Sequence, residues 1–237
     1  MNNICKQLVK FDKPPYFNND ISSTPVVLSD SKGFYLKQHL DFPNNIQWCC
    51  KRGATTGEQF TYLKRNLPIL LQKYTTITVF VWLGTCDLTS KDDSGFISIA
   101  SKTDHVVNNI YAVYKDIYFF CRSHDNVKVV FLELPVYSIY WWNYFRRHSD
   151  PEQFREEDLL LHEQISSLNN YIRDLNRILH VHSPCFSTDL LQSRKQSART
   201  HTFLSYTFAG YLDGIHPGPE LSRLWLLRLC RIFNMYC

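Results

Sequence analysis

Five short runs of strand-forming residues alternate with helical stripes, and this alternation limits the fold more than any other feature of the 237-residue chain. The runs are TPVVLSD at 24–30, NIQWCC at 45–50, ITVFVWLG at 77–84, NVKVVFLEL at 126–134 and ILHVHSP at 178–184. Between the first two, GFYLKQHL has the length of a short helix. Phe60, Leu63, Leu67, Leu70 and Leu71 recur at helical spacing, and Pro68 within them predicts a kink or break. Val107, Ile110, Tyr114, Ile117 and Cys121 mark a further helix, and Leu161, Ile165, Leu168, Ile172 and Leu175 a long one. GPELSRLWLLRLCRIF closes the chain as a helix. Strands that are apolar on both faces and separated by helices pair in parallel, because only crossover helices supply two covering layers. The expectation is one α/β domain over residues 23–237, a three-layer α/β/α sandwich with a five-stranded parallel sheet. Residues 1–22, polar and carrying Pro14-Pro15, read as an N-terminal extension.

Composition bears mainly on what the chain is not. With 44% apolar and 15% aromatic residues, it is not a disordered tail. The net charge of +4 permits an anionic partner without demanding one. The eight cysteines form no CxxC pair and have no histidines at zinc-ligand spacing, so they read as reduced thiols of an intracellular, cytoplasmic protein. No secretory apolar core stands near Met1, and Arg223, Arg228 and Arg231 interrupt the most apolar helix, so no membrane span is expected.

In parallel sheets, ligands bind outside the carboxyl ends of the strands. The first such end reads Ser29-Asp30-Ser31, directly before a helix whose free N–H groups favour a developing negative charge. Ser31 is therefore a candidate nucleophile, and a serine needs a base. Asp213 and His216 lie three residues apart in YLDGIHPGPE. That spacing lets the carboxylate hold Nδ1–H of the imidazole and leaves Nε2 to accept a proton. Pro217 next to a helix start gives the same residues a plain structural use as well. Gly53 and Gly57 in KRGATTGEQF let backbone N–H groups approach a ligand closely, while Thr55 or Thr56 suits a helix cap. The third strand end, WLGTCDLT, presents Gly84, Cys86 and Asp87.

Taken in order, LSDSKG, GATTGEQF, GTCD and DGIH resemble four blocks of the SGNH hydrolase superfamily, the GDSL-type esterases and lipases, over about residues 24–235. The resemblance implies a flavodoxin-like strand order 2-1-3-4-5 and cleavage of carboxylic esters through an acyl-serine intermediate, with no cofactor and no metal. It implies a small-molecule or lipid ester as substrate. It places Ser31 as nucleophile, His216 as base, Asp213 as its orienting acid, and the N–H groups of Ser31 and Gly57 in the oxyanion hole. Two positions depart from the pattern. Ser29 replaces a glycine, and Cys86 stands where the family has an oxyanion-binding asparagine. A thiol is a weak donor, so the second change lowers the expected activity. The wording of the blocks also resembles SGNH-like domains carried by mobile genetic elements.

Other readings use the same residues. VYSIYWWNYF at 136–145 is aromatic and follows a strand end, which suggests Tyr137, Tyr140 and Trp141 as a substrate pocket. Some SGNH-like domains bind RNA without catalysis, and basic residues cluster at Lys51-Arg52, at Arg146-Arg147-His148, and at Arg194-Lys195 with Arg199 and His201. Solvated surface charge explains such clusters equally well. Asp30, Asp87, Asp92 and Asp93 offer a third reading, a Mg²⁺ site at the strand ends. No phosphate-binding Gly-Lys-Ser/Thr loop is present.

Overall fold

The computed structural model describes residues 21–40, 45–195 and 202–237. Most of the expected N-terminal extension, with Cys5, lies outside these residues, as do Arg199 and His201.

In chain order the first elements are β1 (Thr24–Ser29), α1 (Ser31–Lys37), β2 (Gln47–Cys50), α2 (Thr56–Lys73), β3 (Ile77–Trp82) and the short α3 (Thr85–Leu88). A hairpin, β4 (Thr89–Lys91) and β5 (Ile97–Ile99), leads to α4 (His105–Arg122) and β6 (Val127–Phe131). After α5 (Ile139–Phe145) and the long α6 (Arg155–Ile178) come a second hairpin, β7 (Leu191–Lys195) and β8 (Thr202–Tyr206), and α7 (Pro219–Tyr236). The principal sheet is parallel with order β2-β1-β3-β6, so its first four strands are those read from the sequence, in the implied order.

β3 sits at the centre with all six residues buried, which is why its sequence is apolar without alternation. On one face α7 presses Phe233 onto Phe80, with ring centroids 4.6 Å apart. On the other, α2 meets α4 through Phe60 and Phe120, and α4 meets α6 through Tyr111 and Tyr171, stacked at 4.2 Å. Phe80 and Phe233 are fully buried, and burying each stabilises the fold by roughly 1.5–3 kcal/mol. α2 runs unbroken across Pro68, so the expected break is absent. Pro68 lies on the solvent side, where water can satisfy the carbonyl that a helical N–H would have bonded.

The expected fifth strand, 178–184, is absent among the described residues. Ile178 ends α6, His180 adopts φ 55°, and the chain turns back through Val181 N–H to the Asn176 carbonyl. The reason lies in α6. The Asn176 side chain accepts from Phe131 N–H at 3.0 Å and donates to Phe131 O at 2.7 Å, as a neighbouring strand would. Asn169 does the same for Leu134. Side-chain amides thus replace a ladder at this edge, and beside Val127–Val130 a cavity of about 500 Å³ remains.

Candidate active site

The site is assembled at the carboxyl ends of β1, β2 and β3. Asp30 caps α1 by accepting Lys32 N–H at 2.9 Å, which turns the chain sharply and leaves Ser31 as the first helical residue. Gly33 allows that helix to lie close, since a Cβ there would stand 2.4 Å from Cys50 Sγ. Beneath the serine, the buried Lys32 ammonium contacts both the Asp30 carboxylate and Thr85 Oγ1. Ser29, buried at the position of the usual glycine, accepts Gly33 N–H through its hydroxyl.

His216 arrives from the loop before α7. Asp213 accepts Ile215 N–H at 3.1 Å and His216 N–H at 2.8 Å through one oxygen, while its other oxygen lies 2.7 Å from His216 Nδ1. Leu212 N–H closes the turn onto the His216 carbonyl, and Ser138 N–H anchors it through Gly214 O. The imidazole is flanked by Tyr35, at 4.9 Å between ring centroids, and Trp142, at 5.7 Å. Its Nε2 lies 2.9 Å from Ser31 Oγ. Burial raises the Asp213 pKa, but the hydrogen bonds from the His216 ring and backbone and from Ile215 outweigh that, so the carboxyl titrates below its ordinary value. Asp213 is thus held as the anion that orients an imidazole.

Around the first turn of α2, Thr56 N–H and Oγ1 donate to Asp87, Glu58 N–H to Thr55 Oγ1, and Gln59 N–H to Thr55 O. Gly57 N–H has no partner among the described residues. Asp87 of the third block therefore ties α2 to α3, a role its sequence position did not announce. Cys86 lines the same cavity as Ser31 and His216. Burial, with a smaller push from the Asp30 charge, raises its thiol to about 12, so it stays protonated.

The cavity, about 440 Å³, is walled by Ser31, His216, Tyr35, Cys86, Gly53 and Trp142, with Arg52, Lys91 and Arg146 also contributing. Gly53 rather than Gly57 forms its wall. The aromatic segment contributes Trp142 and not the three residues expected. Tyr137 is buried and donates its hydroxyl to Thr85 O, Tyr140 lies against Arg155, and Trp141 packs on Tyr144 and Phe145. Helical rotation decides this: residues 142 and 146, four apart, share the face towards His216. The strand-end aspartates have separate partners, Asp30 with Lys32 and Asp87 with Thr56, while Asp92 accepts Phe96 N–H. Among the described residues no group of three or more His, Cys, Asp or Glu is arranged to hold a metal ion.

No protein-family model matches the chain, and no curated protein matches it in sequence. Solved structures do match it in shape. A GDSL-like lipase from Bacteroides thetaiotaomicron superposes with a TM-score of 0.62 at 12% identity, covering 99% of this chain and 98% of that one. The chain has the SGNH-hydrolase fold. A carbohydrate acetylesterase family member from Sinorhizobium meliloti gives 0.55 at 15% identity, over 90% of this chain and 98% of that one. The lipase Lip_vut3 from a goat rumen metagenome gives 0.53 at 14%, over 89% and 98%. The SGNH fold accounts for the strand order and for a site at the carboxyl ends of the strands. No helix among the described residues is long and apolar enough to cross a membrane.

Proposed function

We propose that residues 23–237 form a serine hydrolase that cleaves carboxylic esters. The observation that carries this reading is the linear relay Ser31 Oγ to His216 Nε2 at 2.9 Å and His216 Nδ1 to Asp213 at 2.7 Å. In the mechanism, Ser31 Oγ attacks the acyl carbon while His216 Nε2 takes its proton. The tetrahedral oxyanion is met by the N–H of Ser31 and by that of Gly53, the glycine that lines the cavity, with the Cys86 thiol a weak third donor. His216 then protonates the departing alcohol, leaving an acyl-serine. Water attacks the acyl group, gives its proton to His216, and Ser31 leaves with that proton restored. Asp213 keeps the tautomer and stabilises the imidazolium throughout.

The fold shared with a GDSL-like lipase and a carbohydrate acetylesterase family member agrees with an ester substrate. The free thiols of Cys49, Cys121 and Cys230 suit a reducing cytoplasm. Hydrolysis of a short-chain 4-nitrophenyl ester tests the reading. The expected result is turnover that His216→Ala abolishes while Tm stays near the parent value. Turnover that survived His216→Ala would remove the imidazole from the mechanism.

A further inference from the structure

Two basic clusters far apart in sequence meet at the mouth of the serine cavity. Arg52 comes from the loop after β2, and Arg146 from the end of α5. Lys91 of β4 joins them. The Arg146 guanidinium lies 4.1 Å from the centroid of the Trp142 ring, and Lys91 Nζ 5.8 Å from the same ring. Arg146 Nη1 and Lys91 Cε both lie 3.6 Å from where a Cβ on Gly95 would stand, so the two cations share one side of the mouth. Arg52 is seated over Phe34, with Cζ 5.8 Å from the ring.

Solvated surface charge normally comes with mixed signs, and these three cations have no carboxylate partner among the described residues. The acidic residue in the wall is Asp213, already bound to His216. Stacking on aromatic rings also restricts the side chains, so less rotamer freedom is lost when an anion binds. A concave site with this charge holds small anions more favourably than neutral molecules.

We propose that the ester taken by this cavity also carries a phosphate-type anion, seated between Arg52 on one side and Arg146 with Lys91 on the other. The proposal rests on the ester-hydrolase reading for its chemistry but not for its binding. The anion anchors the substrate, and the serine acts on an ester within reach of that anchor. Trp142 then serves both ends, flanking His216 and supporting Arg146.

The test compares 1-acetylglycerol with 1-acetylglycerol 3-phosphate. The phosphate ester is expected to have a kcat/KM higher by about tenfold or more at low salt, the advantage shrinking as salt is added. In the double variant Arg52→Gln with Arg146→Gln the ratio is expected to fall towards one, through KM rather than kcat. Equal kcat/KM for the two esters, or a ratio unmoved by the double variant, overturns the proposal. A micellar lysophosphatidic acid turned over faster than the soluble ester identifies a lipid headgroup as the source of the phosphate; the reverse order identifies a soluble metabolite. If neither ester is cleaved, calorimetry with glycerol 3-phosphate on Ser31→Ala separates the two ideas. Binding lost in the double variant keeps the anion seat and removes the hydrolase, whereas no binding removes both. Displacement of glycerol 3-phosphate by short single-stranded RNA at lower concentration assigns the cations to nucleic acid and overturns the small-molecule proposal.

Discussion

The hydroxyl of Ser31 and Nε2 of His216 are 2.9 Å apart although 185 residues separate them in the chain. Each is presented by a tight local turn, the Asp30 cap on one side and the Asp213 turn on the other. The relay is therefore built from two short-range motifs, and the sheet and α7 bring them together.

Asp213→Asn should test the orienting role. The amide cannot stabilise an imidazolium, and it can hold Nδ1 in the wrong tautomer, so kcat is expected to fall by roughly 10³–10⁴. Steady-state kinetics on a 4-nitrophenyl ester reads this, and a loss below about tenfold would remove Asp213 from the relay.

The same carboxyl makes a prediction about pH. Its native pKa is depressed, so its contribution to stability is complete above the unfolded value of about 3.9 and is lost as pH falls through the lower native value. The stability gap between the parent and Asp213→Asn is expected to be flat near neutrality and to close below about pH 4. Urea unfolding across this range measures it. A gap that widened in acid would contradict the assignment.

Cys86→Asn should strengthen the oxyanion hole. An amide donates better than a thiol, and one such donor elsewhere is worth about 10²–10³ in kcat. A rise of about tenfold, in kcat rather than KM, is the expected result. An unchanged kcat would show that residue 86 does not face the oxyanion.

Four strands and the three relay residues are legible because each depends on local pattern, apolar runs and short motifs at strand ends, whereas the strand order follows from the resemblance to the SGNH hydrolases and not from any periodicity. What was missed depends on contacts between distant elements. ILHVHSP has the composition of a strand, but Asn169 and Asn176 already satisfy the edge it would pair with, and no periodicity displays that exchange. The segment YSIYWWNYF is aromatic on every side, so its sequence does not display the helical phase that puts Trp142, and not Tyr137, Tyr140 or Trp141, in the cavity wall. The hairpin carrying Lys91 is short, and its DDSG turn went unread, which hid one wall of the cavity.

The pair beneath Ser31 is a stability prediction. Lys32 and Asp30 are 2% and 1% exposed, so Lys32→Met leaves a buried carboxylate uncompensated at a cost of about 3–5 kcal/mol. Adding Asp30→Asn should recover part of that loss. Chemical denaturation of both variants checks it, and additive losses would mean that the two charges do not interact.

Gly214 should tolerate no side chain. It adopts φ 88°, and a Cβ would stand 2.7 Å from Trp141 Cβ and 2.9 Å from Trp142 N. Gly214→Ala is expected to cost about 2 kcal/mol or more and to lower activity by moving His216. Tm near that of the parent would show that the turn and α5 are not in contact.

The central claim is that Ser31 is activated by its imidazole, and labelling with a fluorophosphonate measures that directly. Intact-protein and peptide mass spectrometry should find one adduct, on Ser31, lost in Ser31→Ala and greatly slowed in His216→Ala. A folded parent protein that took up no label, or took it up equally without His216, would contradict the account.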